Sequence, residues 1–332
     1  MVPTADRARF RWAIVALALI ALFGLTAIVL SRAGTNAEPG GSLASRVSPK
    51  PPGTPEASEP EASPTPAGAP FLSRPVSGPI SMRGCRDVVI EGRTFKDLGS
   101  DVEAIHLEDC HGVTIRDNDF ARVAQAITVL DSTDVRVEMN RYEDILGPSA
   151  RVDLHRANFI QFDNVRGGYI GNNTGRGGDT EDIVSIHTSG GTTAAPLIIE
   201  GNHFEGTNWS SGSGSGIALG DHGSHDTVAR DNILLNPGQV GIFIAGGTNN
   251  TIVDNVIYGE QRPRSNVGIY VWNQADGECS GNEVRNNRVR WFREDGEDNA
   301  HWDQGNCGQV AGWSTNDWEA DLDPASLRVD LP

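Results

Sequence analysis

Lysine is nearly absent from this chain of 332 residues: Lys50 and Lys96 are the only two. Lys+Arg total 27 against 44 Asp+Glu, a net charge of −17. No basic patch with interleaved aromatics occurs, so a nucleic-acid partner is not expected. Aromatic residues make up only 6%, and cysteines number four. Turn pairs such as Asn-Gly between alternating strands are missing, which argues against hairpin-built propellers and sandwiches. Only one long run is both uncharged and almost wholly apolar, residues 12–30. What is abundant is glycine, at 39 residues, with Asn and Asp at short intervals. That is the composition of a turn-dense β protein.

The uncharged run follows Arg7, Arg9 and Arg11. It is long enough to cross a bilayer as a helix, and the arginines favour a cytoplasmic N-terminus. Residues 1–30 are therefore expected to be a cytoplasmic stub and one transmembrane signal-anchor. The localisation expected is a single-pass cell-membrane protein with its folded domain extracellular, or a secreted one if the N-terminus is cleaved. Residues 31–70 are Pro-, Ala- and Ser-rich and cannot bury enough apolar surface to fold, so a disordered linker is expected. An even number of cysteines in an exported chain favours disulfides.

Beyond residue 70 the chain repeats itself. An apolar residue is followed three positions later by Asn: Ile115/Asn118, Val137/Asn140, Ile170/Asn173, Ile199/Asn202, Ala229/Asn232, Ile252/Asn255 and Val284/Asn287. Each unit is joined to an apolar-x-apolar segment, as in Ile105-His106-Leu107 or Ile269-Tyr270-Val271. Short fixed units with variable insertions mark a solenoid. Asn tolerates the turn conformation, and its amide can hydrogen-bond to the coils above and below. Cys85 and Cys110 each begin a Cys-x-x-Val-x-Ile motif, so they occupy equivalent positions on stacked coils about 4.8 Å apart. Cys85 is thus expected to pair with Cys110, and Cys279 with Cys307.

The pattern resembles the right-handed parallel β-helix of the pectin-lyase-like superfamily over residues 80–292. Ser213-Gly214-Ser215-Gly216-Ile217-Ala218-Leu219-Gly220-Asp221, Asn236-Pro237-Gly238-Gln239-Val240-Gly241-Ile242 and Asn266-Val267-Gly268-Ile269-Tyr270-Val271-Trp272-Asn273-Gln274 are similar to a bacterial exported β-helix repeat family. The fold expected is all-β: a right-handed parallel β-helix (solenoid) over 71–292, one N-terminal transmembrane helix, and a Trp-rich C-terminal cap over 293–332. The superfamily is dominated by polysaccharide lyases, hydrolases and epimerases, which sets a prior by fold analogy alone.

Strand parity yields the exposed face. Side chains alternate across a strand. With Ile105/Leu107, Ile127/Val129, Ile160/Phe162, Val184/Ile186, Ile217/Leu219, Ile242/Ile244 and Ile269/Val271 inward, two rows face out. One is His106, Thr128, Gln161, Ser185, Ala218, Phe243, Tyr270. The other is Glu108, Leu130, Asp163, His187, Gly220, Ala245, Trp272. Polar groups, then small residues, then flat aromatics suit a sugar chain.

The candidate catalytic residues are Asp163, Asp182, His187 and Asp221, surrounding one cavity. Gln161, Ser185, His222, Phe243, Tyr270 and Trp272 are the candidate substrate-binding residues. Asp163 and Asp221 are expected two coils apart, near the upper limit for an inverting glycosidase pair. The series Asp163, Glu181-Asp182, Gly220-Asp221-His222-Gly223 loosely resembles polygalacturonase-like hydrolases, whose later basic motif is missing here. The reading is a cell-surface polysaccharide-processing protein, with a glycoside hydrolase favoured. A uronate-directed lyase or epimerase, and a non-catalytic glycan-binding or adhesin β-helix, are the alternatives. Arg151, Arg156, Arg166 and Arg176 stand in for the missing lysine in the lyase reading. No cofactor is expected, with Ca²⁺ at Asp179, Glu181 and Asp182 as the possible exception. The 221–226 stretch (DHGSHD) has histidines and carboxylates but no recognised zinc spacing, so solvated turn residues are expected there. The partners expected are a polysaccharide or cell-wall glycan, and the membrane through the N-terminal helix.

Overall fold

The computed structural model describes residues 70–99, 102–147, 157–206, 214–275 and 277–331. The anchor and nearly all of the linker lie outside the described residues, as do Arg151 and Arg156. The chain divides into Met1–Ser63 and Pro64–Pro332, and only the second unit contains described residues. Among the described residues no helix is long and apolar enough to cross a membrane.

Three parallel sheets wind around one core. A nine-stranded sheet starts at Ile80–Arg83 and ends at His301–Asp303. A second, eight-stranded, runs from Val89–Glu91 to Glu283–Arg285, and a third, eight-stranded, from Thr94–Lys96 to Arg288–Trp291. Each coil visits the three in turn, so every strand pairs with its equivalents one coil away. This is the expected right-handed parallel β-helix. All fourteen residues assigned inward on the nine-stranded sheet have zero exposure, from Ile105/Leu107 to Ile269/Val271.

The asparagine column forms as a hydrogen-bonded ladder. Asn118 Nδ2 donates to Asn140 Oδ1 (3.0 Å), Asn140 to Asn173 (3.1 Å), Asn173 to Asn202 (2.9 Å) and Asn202 to Asn232 (2.9 Å). It continues through Asn255 (2.9 Å) and Asn287 (2.9 Å) to Asn316 (2.8 Å). The last rung was not expected, because Trp313 replaces the aliphatic residue three positions before the asparagine and the tail was assigned to a cap. The left-handed turn conformation does not fall on these asparagines. It falls on the residue before each: Asp117, Met139, Asn172, Gly201, Asp231, Asp254 and Asn286, with φ between 54° and 63°. The ladder asparagines are selected by their buried amides, while their predecessors carry the turn strain.

Both disulfides form as expected, Cys85–Cys110 and Cys279–Cys307, each with Cα atoms 4.5 Å apart. The first joins two successive coils at the N-terminal end, and the second joins coils at the other. Non-reducing peptide mapping should recover these two linkages. Reduction should remove about 3 kcal/mol of stability each on loop-closure grounds. In a solenoid the loss should appear as early fraying of the end coils. A single sharp transition unmoved by dithiothreitol would contradict this.

The C-terminal forty residues do more than cap. His301–Asp303 adds a ninth strand to the first sheet, pairing Trp302 with Tyr270. Trp291 is buried in the core, while Trp313 packs edge-on and Trp318 tilted against His301 at the end. The chain then returns along the third sheet. His203 Nε2 lies 2.8 Å from the Leu327 carbonyl, and Glu205 accepts from the Arg328 guanidinium (2.6 Å) and the Val329 N–H (3.0 Å).

Candidate functional site

The nine-stranded sheet presents a groove whose first outward row has the expected register. Ser81, His106, Thr128, Gln161, Ser185, Ala218, Phe243, Tyr270 and Trp302 are neighbours on successive coils. The second row departs from expectation at one point. Ser185 pairs with Ala218, yet His187 pairs with Asp221, so one strand has an extra residue there. The extra residue is Gly220, at φ 72°, where a Cβ would sit 2.1 Å from the Gly246 carbonyl oxygen. This β-bulge puts Asp221, not Gly220, beside His187.

A third outward row was missed. Gln125, Asn158, Asp182 and Ser215 precede the inward pairs by two residues, so strict alternation sends them into the core. The residue after each is itself buried (Ala126, Phe159, Ile183 and Gly216), making two consecutive inward positions at the corner. The row before them turns outward. Gln125 Nε2 donates to Thr128 Oγ1 (2.5 Å), and Asn158 Nδ2 donates to Gln161 Oε1 (3.3 Å). Ser215 Oγ donates to Asp182 Oδ1 (2.5 Å).

This geometry sorts the candidate residues. Asp163, His187, Asp221 and His222 come together. His187 Nδ1 lies 2.8 Å from Asp163 Oδ1, which also accepts from Thr188 Oγ1 (2.7 Å). The His187 and His222 rings are 4.7 Å apart, and His222 Nε2 is 3.9 Å from Asp221 Oδ1. Burial pushes the Asp163 carboxyl up, but the hydrogen bonds from His187 and Thr188 outweigh it and hold the group below its ordinary range. Asp182 is not in this cluster. It begins the strand that His187 ends, and five residues at about 3.3 Å each put their backbones about 16 Å apart. The expectation of one cavity lined by all four is corrected accordingly: the two ends of the strand flank the groove.

Gln161 and Ser185 lie between the two edges on the first row. Phe243 and Tyr270 stack face to face, 4.9 Å apart and 2° from parallel. Trp302 lies 6.2 Å from Tyr270 and 5.6 Å from Trp272. Val240 and Val267 pack beneath this shelf. Burial, with Asp182 and Asp221 nearby, pushes the Tyr270 phenol well above its usual value, so it stays a neutral donor. Trp302 had been assigned to the cap. Its signal was the apolar-free His301-Trp302-Asp303 triplet, which parity alone does not mark as a strand.

Among the described residues, Asp179, Glu181 and Asp182 form no cation-sized group. The one set that does is His187, Asp221 and His222, whose ligand atoms all lie within 4.8 Å of one another. His187 arrives from the coil before the 221–226 stretch, so no local spacing could reveal it. The two described arginines of the lyase reading face elsewhere. Arg176 pairs with Glu143 on the third sheet (2.8 Å), and Arg166 begins a strand of the second.

Comparison with known proteins adds three findings. No curated protein sequence matches the chain. Among solved structures, the tailspike protein of E. coli bacteriophage HK620, in complex with a pentasaccharide, aligns with a TM-score of 0.42 and 12% identity. The alignment covers 69% of this chain and 42% of the tailspike, so the chain spans less than half of that protein. The profile of the family described as periplasmic copper-binding protein (NosD) matches residues 76–257 and 151–302, the same coils that build the groove. With its parallel three-sheet solenoid and that match over most of its described length, the chain belongs to the NosD family of right-handed parallel β-helices.

Proposed function

We propose that this is an exported β-helix protein, held outside the membrane by residues 1–30 and the 31–70 linker, whose groove binds a glycan chain. The observation that carries the reading is the aromatic column Phe243–Tyr270–Trp302 flanked by Trp272, continuous with a floor of amides, hydroxyls and carboxylates. Pyranose C–H faces stack on such rings, while sugar hydroxyls take hydrogen bonds from Gln161, Ser185 and the Tyr270 phenol. Trp302 is 40% exposed, a large apolar surface for which a ligand is the natural cover.

Hydrolysis of the bound chain is the finer reading. Asp163 and Asp221 stand two coils apart, about 9–10 Å, near the upper limit for an inverting pair. Asp163, kept ionised, would activate water, with His187 orienting it. Asp221 would protonate the leaving oxygen. Asp182, about 16 Å away along the strand, is too far to be the second carboxylate and would instead bind hydroxyls. Among the described residues, Lys96, Arg166 and Arg176 all lie on the other two sheets, so the lyase reading lacks the base it was to use.

The experiment is a polysaccharide panel read by affinity and by released reducing ends. Trp272→Ala and Trp302→Ala should each weaken binding about tenfold. Asp163→Asn should abolish turnover and leave affinity in place. Unchanged affinity in both tryptophan variants would remove the glycan reading. Binding without turnover in the unaltered chain would reduce the function to glycan binding.

Copper, which the family's description names, is the second reading. It would find imidazole and carboxylate donors in the same groove at His187, Asp221 and His222, and no thiol, since both cysteine pairs are disulfides. That donor set suits the divalent rather than the monovalent ion. Bound there, the ion would supply a Lewis-acidic centre at the groove's edge.

A further inference from the structure

We propose that His187, Asp221 and His222 form a binding site for one divalent transition-metal ion, with Asp163 and Thr188 as the outer groups that aim His187 into it. The inference takes up the copper reading of these residues and is independent of the glycan reading.

Three arrangements converge on the site, and each has its own structural cause. The first is the bulge at Gly220. Without the extra residue, His187 would stand beside a glycine, and Asp221 would point away from it. The second is the orientation of His187. Its Nδ1 is engaged by Asp163 at 2.8 Å, so Nε2 is the nitrogen left to coordinate. A carboxylate on the far nitrogen of a ligating histidine fixes the tautomer and raises ligand basicity. Asp163 is itself held by the Thr188 hydroxyl at 2.7 Å, which fixes the carboxylate in turn.

The third arrangement lies in the turn that ends each groove strand. Asp109, Asp131, Asn164, Thr188 and His222 all hold a left-handed backbone there, with φ between 46° and 55°. Asp and Asn are the inexpensive choices at such a position. Thr188 is β-branched and the least suited of the five. Of these five residues, the two that are neither Asp nor Asn are the two that build this cluster. Thr188 spends its side chain on Asp163, and His222 folds back to lie 4.7 Å from the His187 ring.

The donors are imidazole, imidazole and carboxylate, a set that selects borderline divalent ions such as Cu²⁺ or Zn²⁺ over Ca²⁺ and Mg²⁺. Ligand bonds of about 2.1 Å place donor atoms about 3.5 Å apart, so a spread within 4.8 Å closes by small side-chain rotations. His222 has the freedom for this, with 62% of its side chain exposed. Three protein ligands and a solvent-facing side leave a position open toward the groove.

The test uses the full chain, untagged and in detergent, titrated calorimetrically with CuCl₂ and with ZnCl₂ in the absence of any glycan. One equivalent of each should bind saturably at micromolar concentration or below. The Cu²⁺ electron paramagnetic resonance spectrum should show hyperfine coupling to two imidazole nitrogens. His222→Ala should weaken binding at least tenfold and remove one nitrogen from the spectrum. Asp163→Asn should weaken binding about 10- to 100-fold while both nitrogens remain, the mark of a positioning residue, and Asp163→Glu should recover part of the loss. His225→Ala, a nearby histidine paired with Asp226 and outside the cluster, should change nothing. Because His222 is exposed, its variant keeps the fold, and a circular dichroism melt verifies that. The proposal is overturned if no one-equivalent binding occurs, if binding survives the His187→Ala/His222→Ala double change, or if His225→Ala loses as much as His222→Ala. Glycan affinity measured in EDTA reports on the sugar reading alone, so either reading can fail without the other.

Discussion

Replacing Asn202 by leucine is expected to lower the unfolding free energy by about 4 kcal/mol or more. Asn202 sits mid-ladder with essentially no exposure. Its Oδ1 accepts from both the backbone N–H and the Nδ2 of Asn173, at 3.0 and 2.9 Å. Its Nδ2 donates to Asn232 Oδ1 at 2.9 Å and to the Ile170 carbonyl at 3.1 Å. Leucine has nearly the same volume but can make none of these bonds. Four buried polar groups on the two neighbouring coils would lose a partner, each at roughly 1–3 kcal/mol. The leucine gains little in return, because the corner has no apolar space beyond what the amide already fills. In a domain of this size the loss corresponds to a melting temperature about 10 °C lower. Asn316→Ala, at the partly buried end of the same ladder, should cost much less, since it interrupts only one interface between coils. Thermal and urea unfolding of the two variants checks both. A loss below about 1 kcal/mol for Asn202→Leu would show that the ladder is not a principal source of stability.

Gly220→Ala is the second large effect, and it links fold to site. A left-handed φ costs an L-residue with a Cβ roughly 1–2 kcal/mol. Here the Cβ would also meet the Gly246 carbonyl oxygen at 2.1 Å, and a backbone atom in the neighbouring coil cannot swing aside. The bulge has to open or slip. A slip by one residue turns Asp221 away from His187. The expected result is a loss of about 2–3 kcal/mol in stability, with metal affinity and any turnover lost together. Binding of sugar on the aromatic shelf should persist, because Phe243, Tyr270 and Trp272 lie on later coils. Crystals or NMR spectra of the variant should show the Asp163–His187 contact intact and the Asp221–His222 contacts broken. A variant with unaltered stability and metal affinity would remove the bulge as the organiser of the site.

The repeat of apolar residue and asparagine was legible because a solenoid writes the same local rules on every coil. Period-2 alternation assigned all fourteen inward residues of the groove sheet and the first outward row from His106 to Tyr270. The cysteine pairing was legible for the same reason: two identical motifs one coil apart can only stack. Trp302 escaped because its strand, His301-Trp302-Asp303, lacks the flanking apolar pair, and Asn316 because Trp313 replaces the aliphatic residue that marks the unit on the earlier coils. Gln125, Asn158 and Ser215 escaped because the chain bends at the corner, and alternation holds only within a straight strand.

By itself, then, the sequence determined the parallel coils, the buried pairs, the asparagine ladder, both disulfides and the aromatic shelf, since each follows from local periodicity and stacking at a fixed rise. Only the tertiary structure decided that Asp221 stands beside His187 and that Asp182 is left at the far edge. The first of these turns on a single inserted residue. Whether Gly220 is accommodated as a bulge or as a continuous strand depends on the close approach of the Gly246 carbonyl in the next coil, a contact between residues 26 positions apart that no local pattern encodes.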